Sequence, residues 1–186
     1  IILQCNLLRC FQLAGTLSAV ISKLVYGSKF IFNYGYDYVA FARIEGKFIQ
    51  ALGFKLLNRI IPKLATGIIV KDKHLKVKGF YLPNGVDIKL FKPKHKRRAK
   101  VPTILFVGRL EPQKNLINLL TAISSIKLQM KIVFVGQGSQ KQKLLNLSHK
   151  SNLNLTILDP IPHSDLSGIY QSADLFVLPS IIEGSP

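Results

Sequence analysis

The chain has 186 residues, 48% hydrophobic and 19% charged. That excludes disorder and leaves enough apolar material for one good core or two small ones. Lys and Arg number 26 against 9 Asp and Glu, a formal net charge of +17, which narrows the partners to nucleic acid, an anionic membrane surface or anionic substrates.

In chain order, Asn6–Leu24 reads as a buried helix, apolar on most sides and ending near Gly27. On a helix Cys5 and Cys10 would lie about 140° apart, five residues at about 100° each, and could not be bridged within it. Both thiols then read as small core groups of a reducing compartment. The apolar stretch Cys10–Ser22 carries Gln12 and lies between Arg9 and Lys23, the length of a buried helix rather than a membrane span, and no signal-peptide pattern precedes it. The sequence begins at Ile1 and stops at Pro186, and is read as a piece of a longer chain.

Lys29–Asn33 is a short strand. Its exit, Tyr34-Gly35-Tyr36-Asp37-Tyr38, would lie at a carboxyl end of the sheet, where open α/β folds bind ligands; the alternative is a tyrosine-rich edge of the core. Val39–Ala65 reads as one long helix with Pro62 at a break. Its basic positions Arg43, Lys47, Lys55, Arg59 and Lys63 drift about 40° with each step of four, so they wind about 200° and form no single stripe. Gly67–Val70 and Gly79–Leu82 read as further strands. Pro83-Asn84-Gly85-Val86-Asp87 is a turn by its chemistry. The basic run Lys92–Lys100 holds no aromatic residue to stack a base, and a solvated linker explains it better than nucleic-acid binding.

From Thr103 the chain alternates regularly. Strands are expected at Thr103–Val107, Lys131–Val135, Asn154–Leu158 and Leu175–Leu178, with helices beginning near Asn115, Gln140 and Ser164. This is the pattern of a parallel sheet with right-handed crossovers. Thr103–Val107 is a β-branched and aromatic run bounded by Pro102 and Gly108, suited to a strand buried on both faces. A strand that ends in glycine and passes through a short loop into a helix is a geometry that holds phosphates, because the helix N-terminus offers unpaired N–H groups and a partial positive charge. Arg109 and Lys114 stand in that loop, where both can reach one anion; the alternative pairs Arg109 with Glu111 and leaves Lys114 solvated. Gly136-Gln137-Gly138-Ser139 is an incomplete G-x-G-x-x-G, with Lys141 at the third glycine, and a tight strand-to-helix turn explains it equally well. His74, His95, His149 and His163 have no metal-ligand spacing, and no Ser-His-Asp or Cys-His set is visible.

GRLEPQKN (108–115), with YLPNGVDIKLF (81–91) before it and ADLFVLPSIIEGSP (173–186) after it, resembles the nucleotide-sugar half of glycosyltransferase family 4, the retaining enzymes of the two-domain GT-B fold. The resemblance implies an α/β chain of two Rossmann-like, doubly wound parallel-sheet domains, both incomplete. These would be an acceptor-side domain at residues 1–82 and a nucleotide-sugar domain at 83–186. It implies a transferase moving a sugar from a UDP- or GDP-linked donor, with retention, to a glycan or lipid-linked acceptor. Arg109 and Lys114 would clamp the donor diphosphate beside Gly108. Glu183 and Gly184, of Glu-Gly-x-Pro, would meet the sugar, with Glu183, Arg109 and Lys114 as the catalytic set. The second glutamate of the family's pattern has no counterpart before Pro186. Ile161, in the loop Asp159–Pro162, would lie beside the base, although Asp159 stands where the family often has glycine and Tyr34 where it often has histidine.

No metal or cofactor beyond the donor is implied, nucleic acid is disfavoured, and the setting would be cytoplasmic, at the inner face of an anionic membrane. The 186 residues alone are expected to be inactive, since catalysis needs both walls of the cleft. The alternatives are a non-catalytic basic nucleic-acid-binding module and a nucleotide-sugar epimerase of the same fold.

Overall fold

The computed structural model describes residues 5–73, 75, 77–93 and 100–183. His74, His95, Gly184 and the middle of the basic run Lys92–Lys100 lie outside them. The chain forms two compact units, Ile1–Gly85 with Ile182–Pro186, and Val86–Ile181.

The first unit is built on four parallel strands in the order β1 (Leu7–Phe11), β2 (Lys29–Tyr34), β3 (Gly67–Val70) and β4 (Phe80–Tyr81). Leu7–Phe11 corrects the expected helix Asn6–Leu24. This segment pairs with β2, Leu7 opposite Lys29 and Cys10 opposite Phe32, and a short apolar run suits a buried strand as well as a buried helix. The helix α1 is Gln12–Tyr26, closed by Gly27 at φ 70, whose N–H reaches the Lys23 carbonyl in the left-handed C-cap that glycine favours. It is buried on one side only, through Leu13, Thr16 and Ala19, while Leu17, Ile21 and Leu24 are exposed. Cys5 and Cys10 therefore share no helix; Cys10 is core, and Cys5 is exposed rather than buried.

The expected long helix Val39–Ala65 is two helices. α2 (Tyr38–Ile44) is capped by the Asp37 carboxylate, which accepts the N–H groups of Val39 at 3.1 Å and Ala40 at 3.0 Å. The chain then turns at Gly46, φ 72, and restarts as α3 (Phe48–Leu64). Pro62 sits inside α3 and does not break it; in the last turn a missing N–H and a displaced carbonyl disturb little. The core gathers Leu13, Phe30, Phe32, Tyr34, Ile61 and Val70 between the sheet and these helices.

In the second unit, β5 (Thr103–Val107), β6 (Lys131–Val135), β7 (Asn154–Leu158) and β8 (Leu175–Phe176) form a parallel sheet in the order β7-β6-β5-β8. The chain winds outward from β5 through β6 to β7 and then returns to the other side of β5, the reversal at which such sheets open a crevice beyond their carboxyl ends. β5 and β6 are buried on both faces, with Phe106 and Phe134 in register and their rings edge to face at 5.6 Å. α4 (Leu116–Ser124) adds Leu116, Leu120 and Ile123, at helical spacing, and α5 (Lys141–Lys150) adds Leu144. β8 is shorter than expected, although the Val177 N–H still reaches the Leu105 carbonyl at 2.9 Å. α6 (His163–Ser172) is held by the segment before β5: Ser167 Oγ donates to the Leu90 carbonyl at 2.8 Å, and Phe91 meets the rings of His163 and Tyr170.

Candidate functional site

The carboxyl ends of β5 and β6 are joined by backbone. Gly108 N–H continues the ladder to the Val135 carbonyl, Leu110 N–H reaches the Gln137 carbonyl, and Gln140 N–H returns to the Leu110 carbonyl, each at 2.9 Å. Two chains lie this close only where side chains are missing. A Cβ on Gly136, at φ 143, would stand 2.0 Å from the Gly108 carbonyl oxygen, and one on Gly138 would stand 2.5 Å from that of Leu110. The two glycines of the incomplete fingerprint thus serve a seam between loops.

A side-chain contact closes the seam. The Glu111 carboxylate accepts the Ser139 N–H at 3.0 Å and the Ser139 hydroxyl at 2.6 Å. These two bonds, with a smaller contribution from the Arg109 charge, hold the Glu111 carboxyl below its ordinary value. No ion pair joins Arg109 to Glu111 among the described residues; the Arg109 side chain is exposed and makes no hydrogen bond there.

Beside the seam lies a cavity of about 280 Å³, lined by Gly108 and Arg109 from the end of β5, Gly136 and Gln137 from the end of β6, and Pro160 and Ile161 beyond β7. Its size is near the lower end of small-molecule sites, about 300–1,000 Å³. Three of the residues singled out from sequence, Gly108, Arg109 and Ile161, meet at this one cavity. Lys114 is outside the lining, on the turn of 3-10 helix Pro112–Lys114 that leads through Asn115, at φ 58, into α4. Glu183 is partly buried and falls in the first unit. Asp159 does not face the lining: it pairs with Lys141 at 2.8 Å, at the start of α5.

Sequence reasoning missed the Glu111–Ser139 bridge, because nothing local marks a contact across 28 positions. It also missed Leu166 of α6, which completes the apolar wall.

At the end of β2, Tyr34 belongs to the core. Its side chain is buried, its hydroxyl oxygen accepts the Asn58 amide at 2.8 Å, and burial, with the Asp37 charge second, pushes its pKa up to about 12. Tyr36, Tyr38 and Phe41 extend the cluster edge to face, and Phe54 meets the Tyr38 ring at a tilt. This is the tyrosine-rich core edge. Among the described residues no three His, Cys, Asp or Glu side chains are grouped so as to hold a metal ion, and no helix is long and apolar enough to cross a membrane.

The family described as glycosyl transferases group 1 matches residues 87–186. A Bacillus subtilis (strain 168) protein assigned to teichuronic acid biosynthesis as the glycosyltransferase TuaC is 31% identical over 150 residues, 72% of this chain and 37% of its own. The UDP-Gal:α-D-GlcNAc-diphosphoundecaprenol α-1,3-galactosyltransferase of Escherichia coli is 30% identical over 174 residues, 79% of this chain and 45% of its own. In structure, HepE of Anabaena, solved with UDP and glucose, aligns with 96% of this chain and 53% of its own at a TM-score of 0.76 and 14% identity, a likeness of fold. The chain thus spans less than half the length of these two curated relatives.

Proposed function

The chain belongs to the glycosyl transferases of group 1 and has the α/β fold of GT-B glycosyltransferases, and from that footing we propose that it carries the donor side of a retaining transferase acting on a UDP- or GDP-linked sugar. The observation that carries the reading is the cavity at the carboxyl ends of β5 and β6, where Arg109 stands beside Gly108 and Ile161. An exposed guanidinium without a protein partner among the described residues is available to a diphosphate, and phosphate oxygens take its planar fork two at a time.

In the proposed reaction the bond between the sugar's anomeric carbon and the diphosphate breaks while the acceptor oxygen bonds that carbon on the face the diphosphate leaves, and the acceptor hydroxyl's proton passes to the departing diphosphate oxygen. Arg109 and Lys114 neutralise the charge growing on the leaving diphosphate, which lowers the barrier because that charge is larger in the transition state than in the bound donor. Glu183 holds hydroxyls of the sugar. The acceptor is a glycan or lipid-linked glycan at the inner face of a membrane; the Escherichia coli relative, by its name, uses a diphosphoundecaprenol-linked one. Neither the nucleic-acid module nor the epimerase has support among the relatives reported. The test is calorimetric titration of the full-length protein with UDP and GDP, followed by turnover of UDP- and GDP-sugars with analysis of the product's anomeric configuration. Binding of neither nucleotide would end this reading.

A further inference from the structure

The amino ends of β6 and β7 frame a second cavity, of about 370 Å³, at the opposite end of the sheet from the one beside Arg109. Its apolar part is Ile126, Leu128 and Met130, on the segment from α4 to β6. Its polar part is three amides, Gln129 on that segment and Asn152 and Asn154 where α5 gives way to β7. Both segments are fixed by backbone. Ile126 N–H reaches the Ile123 carbonyl at 3.0 Å, Leu153 N–H reaches the Ser148 carbonyl at 2.9 Å, and Asn152 turns the chain at φ 51, a conformation asparagine adopts more readily than most residues. None of the three amide side chains hydrogen-bonds to another described residue.

Charge surrounds this cavity with one sign. Lys127 lies between the lining residues Ile126 and Leu128, Lys131 stands opposite Asn154 in the β6–β7 register, and Lys150 ends α5 just before Asn152. All three are exposed, and none has an ion pair among the described residues. No Asp or Glu occurs between Glu111 and Asp159. Asp174, also at the amino end of the sheet, lies beyond β5 and accepts the Thr103 N–H at 2.8 Å. The carboxyl ends of α4 and α5 add about half a negative charge each, which three lysines outweigh.

We propose that this cavity binds an acidic sugar, a glycan residue bearing a carboxylate or a phosphate and distinct from the donor. An amide offers donor and acceptor together, which suits neighbouring hydroxyls on a ring. The aliphatic side chains take the ring's C–H face, and the lysines meet the acid. The size falls among small-molecule sites, about 300–1,000 Å³, where apolar walls carry a few polar groups that fix orientation. An apolar ligand would leave the amides unpaired, and a nucleobase would find no aromatic side chain in the lining to stack on. The five residues of β6 set its two ends about 15 Å apart, so the occupant is not the reacting sugar. In a transferase it is an acidic part of the acceptor or product glycan, whose retention raises the acceptor's effective concentration. That purpose rests on the proposed function; the site itself does not.

The experiment titrates the full-length protein calorimetrically with glucuronic acid, glucose 6-phosphate, glucose and a hexaglutamate peptide, at low and physiological salt, with UDP titrated in parallel. Alongside the wild type run Gln129→Ala/Asn152→Gly, in which glycine keeps the positive φ, and Lys127→Gln/Lys131→Gln. All four positions are exposed and outside the donor cavity. Glucuronic acid or glucose 6-phosphate is expected to bind about fivefold or more tightly than glucose, with the gap closing as salt rises, and the tighter of the two names the acid. Each double variant should weaken that binding on the order of tenfold, the scale of two net hydrogen bonds or two screened charges, and leave UDP affinity unchanged. No binding of either acid, glucose binding as tightly as both, hexaglutamate binding more tightly than either, or variants that bind like the wild type would overturn the proposal. Acid binding without UDP binding would keep it and sink the donor reading; UDP binding without acid binding would do the reverse.

Discussion

Glu111 and Ser139 join the loops that follow β5 and β6: one carboxylate accepts both the N–H and the hydroxyl of a residue 28 positions away. Glu111→Gln keeps the shape but loses the charge that strengthens both bonds, and Ser139→Ala loses one of them. Each should lower stability by about 1 kcal/mol, the modest end for a charged hydrogen bond at an exposed site. The pH dependence has a definite sign. The folded carboxyl is held below its ordinary value, so its contribution is complete above the unfolded value, about 4.3, and disappears as pH falls through the lower folded one. Denaturant midpoints of wild type and Glu111→Gln should therefore converge below about pH 4; a constant gap would show that the bridge does not stabilise the loops.

Arg109 and Lys114 flank the start of that loop at different places, one on the cavity wall and one on the turn into α4. In the full-length protein Arg109→Ala and Lys114→Ala should each weaken UDP or GDP binding by roughly 1.5–3 kcal/mol, the scale of a hydrogen bond to a charged group. Calorimetric titration measures this directly. Unchanged affinity in both variants would remove the clamp.

Gly136→Ala tests the backbone seam. Its new methyl would stand 2.0 Å from the Gly108 carbonyl oxygen on a backbone at φ 143, so the loops must part. The expected cost is about 1–3 kcal/mol of stability, with weaker nucleotide binding because Gly108 and Arg109 move with the loop. Gly168→Ala, with nothing within 4 Å of its Cβ, is the control. Equal stability of the two variants would mean that the seam can open without cost.

The second unit was legible because its strands are short β-branched runs with Pro or Gly at the ends. Thr103–Val107, Lys131–Val135 and Asn154–Leu158 fall where such runs demand strands. The first unit was less so. Leu7–Phe11 passes into Gln12–Tyr26 without a breaker, and only its pairing with β2 makes it a strand. Gly46 ended a helix that Pro62 was expected to end: a glycine free to adopt φ 72 reverses the chain, whereas a proline in a final turn disturbs few hydrogen bonds. In the site, Arg109 and Gly108 could be read from one loop, while Glu111–Ser139 needs the register of two strands to bring it together.

Tyr34 offers a test of the first unit's core. Its hydroxyl oxygen takes the Asn58 amide at 2.8 Å, and the Asn58 Oδ1 is already buried without a partner. Tyr34→Phe strands the amide donor as well, so it should cost about 1–3 kcal/mol at neutral pH. The difference should shrink in alkali. Burial raises the folded Tyr34 to about 12, whereas an unfolded tyrosine titrates near 10. The neutral hydroxyl's contribution is therefore complete below about pH 10 and is lost as pH rises toward the folded value. Tyr38 is raised by burial too, so the wild type alone would mix two residues, and the wild-type-minus-Phe difference isolates Tyr34. Urea midpoints measured from neutral to strongly alkaline pH should show the two proteins converging, and parallel curves would mean that Tyr34 titrates as freely folded as unfolded.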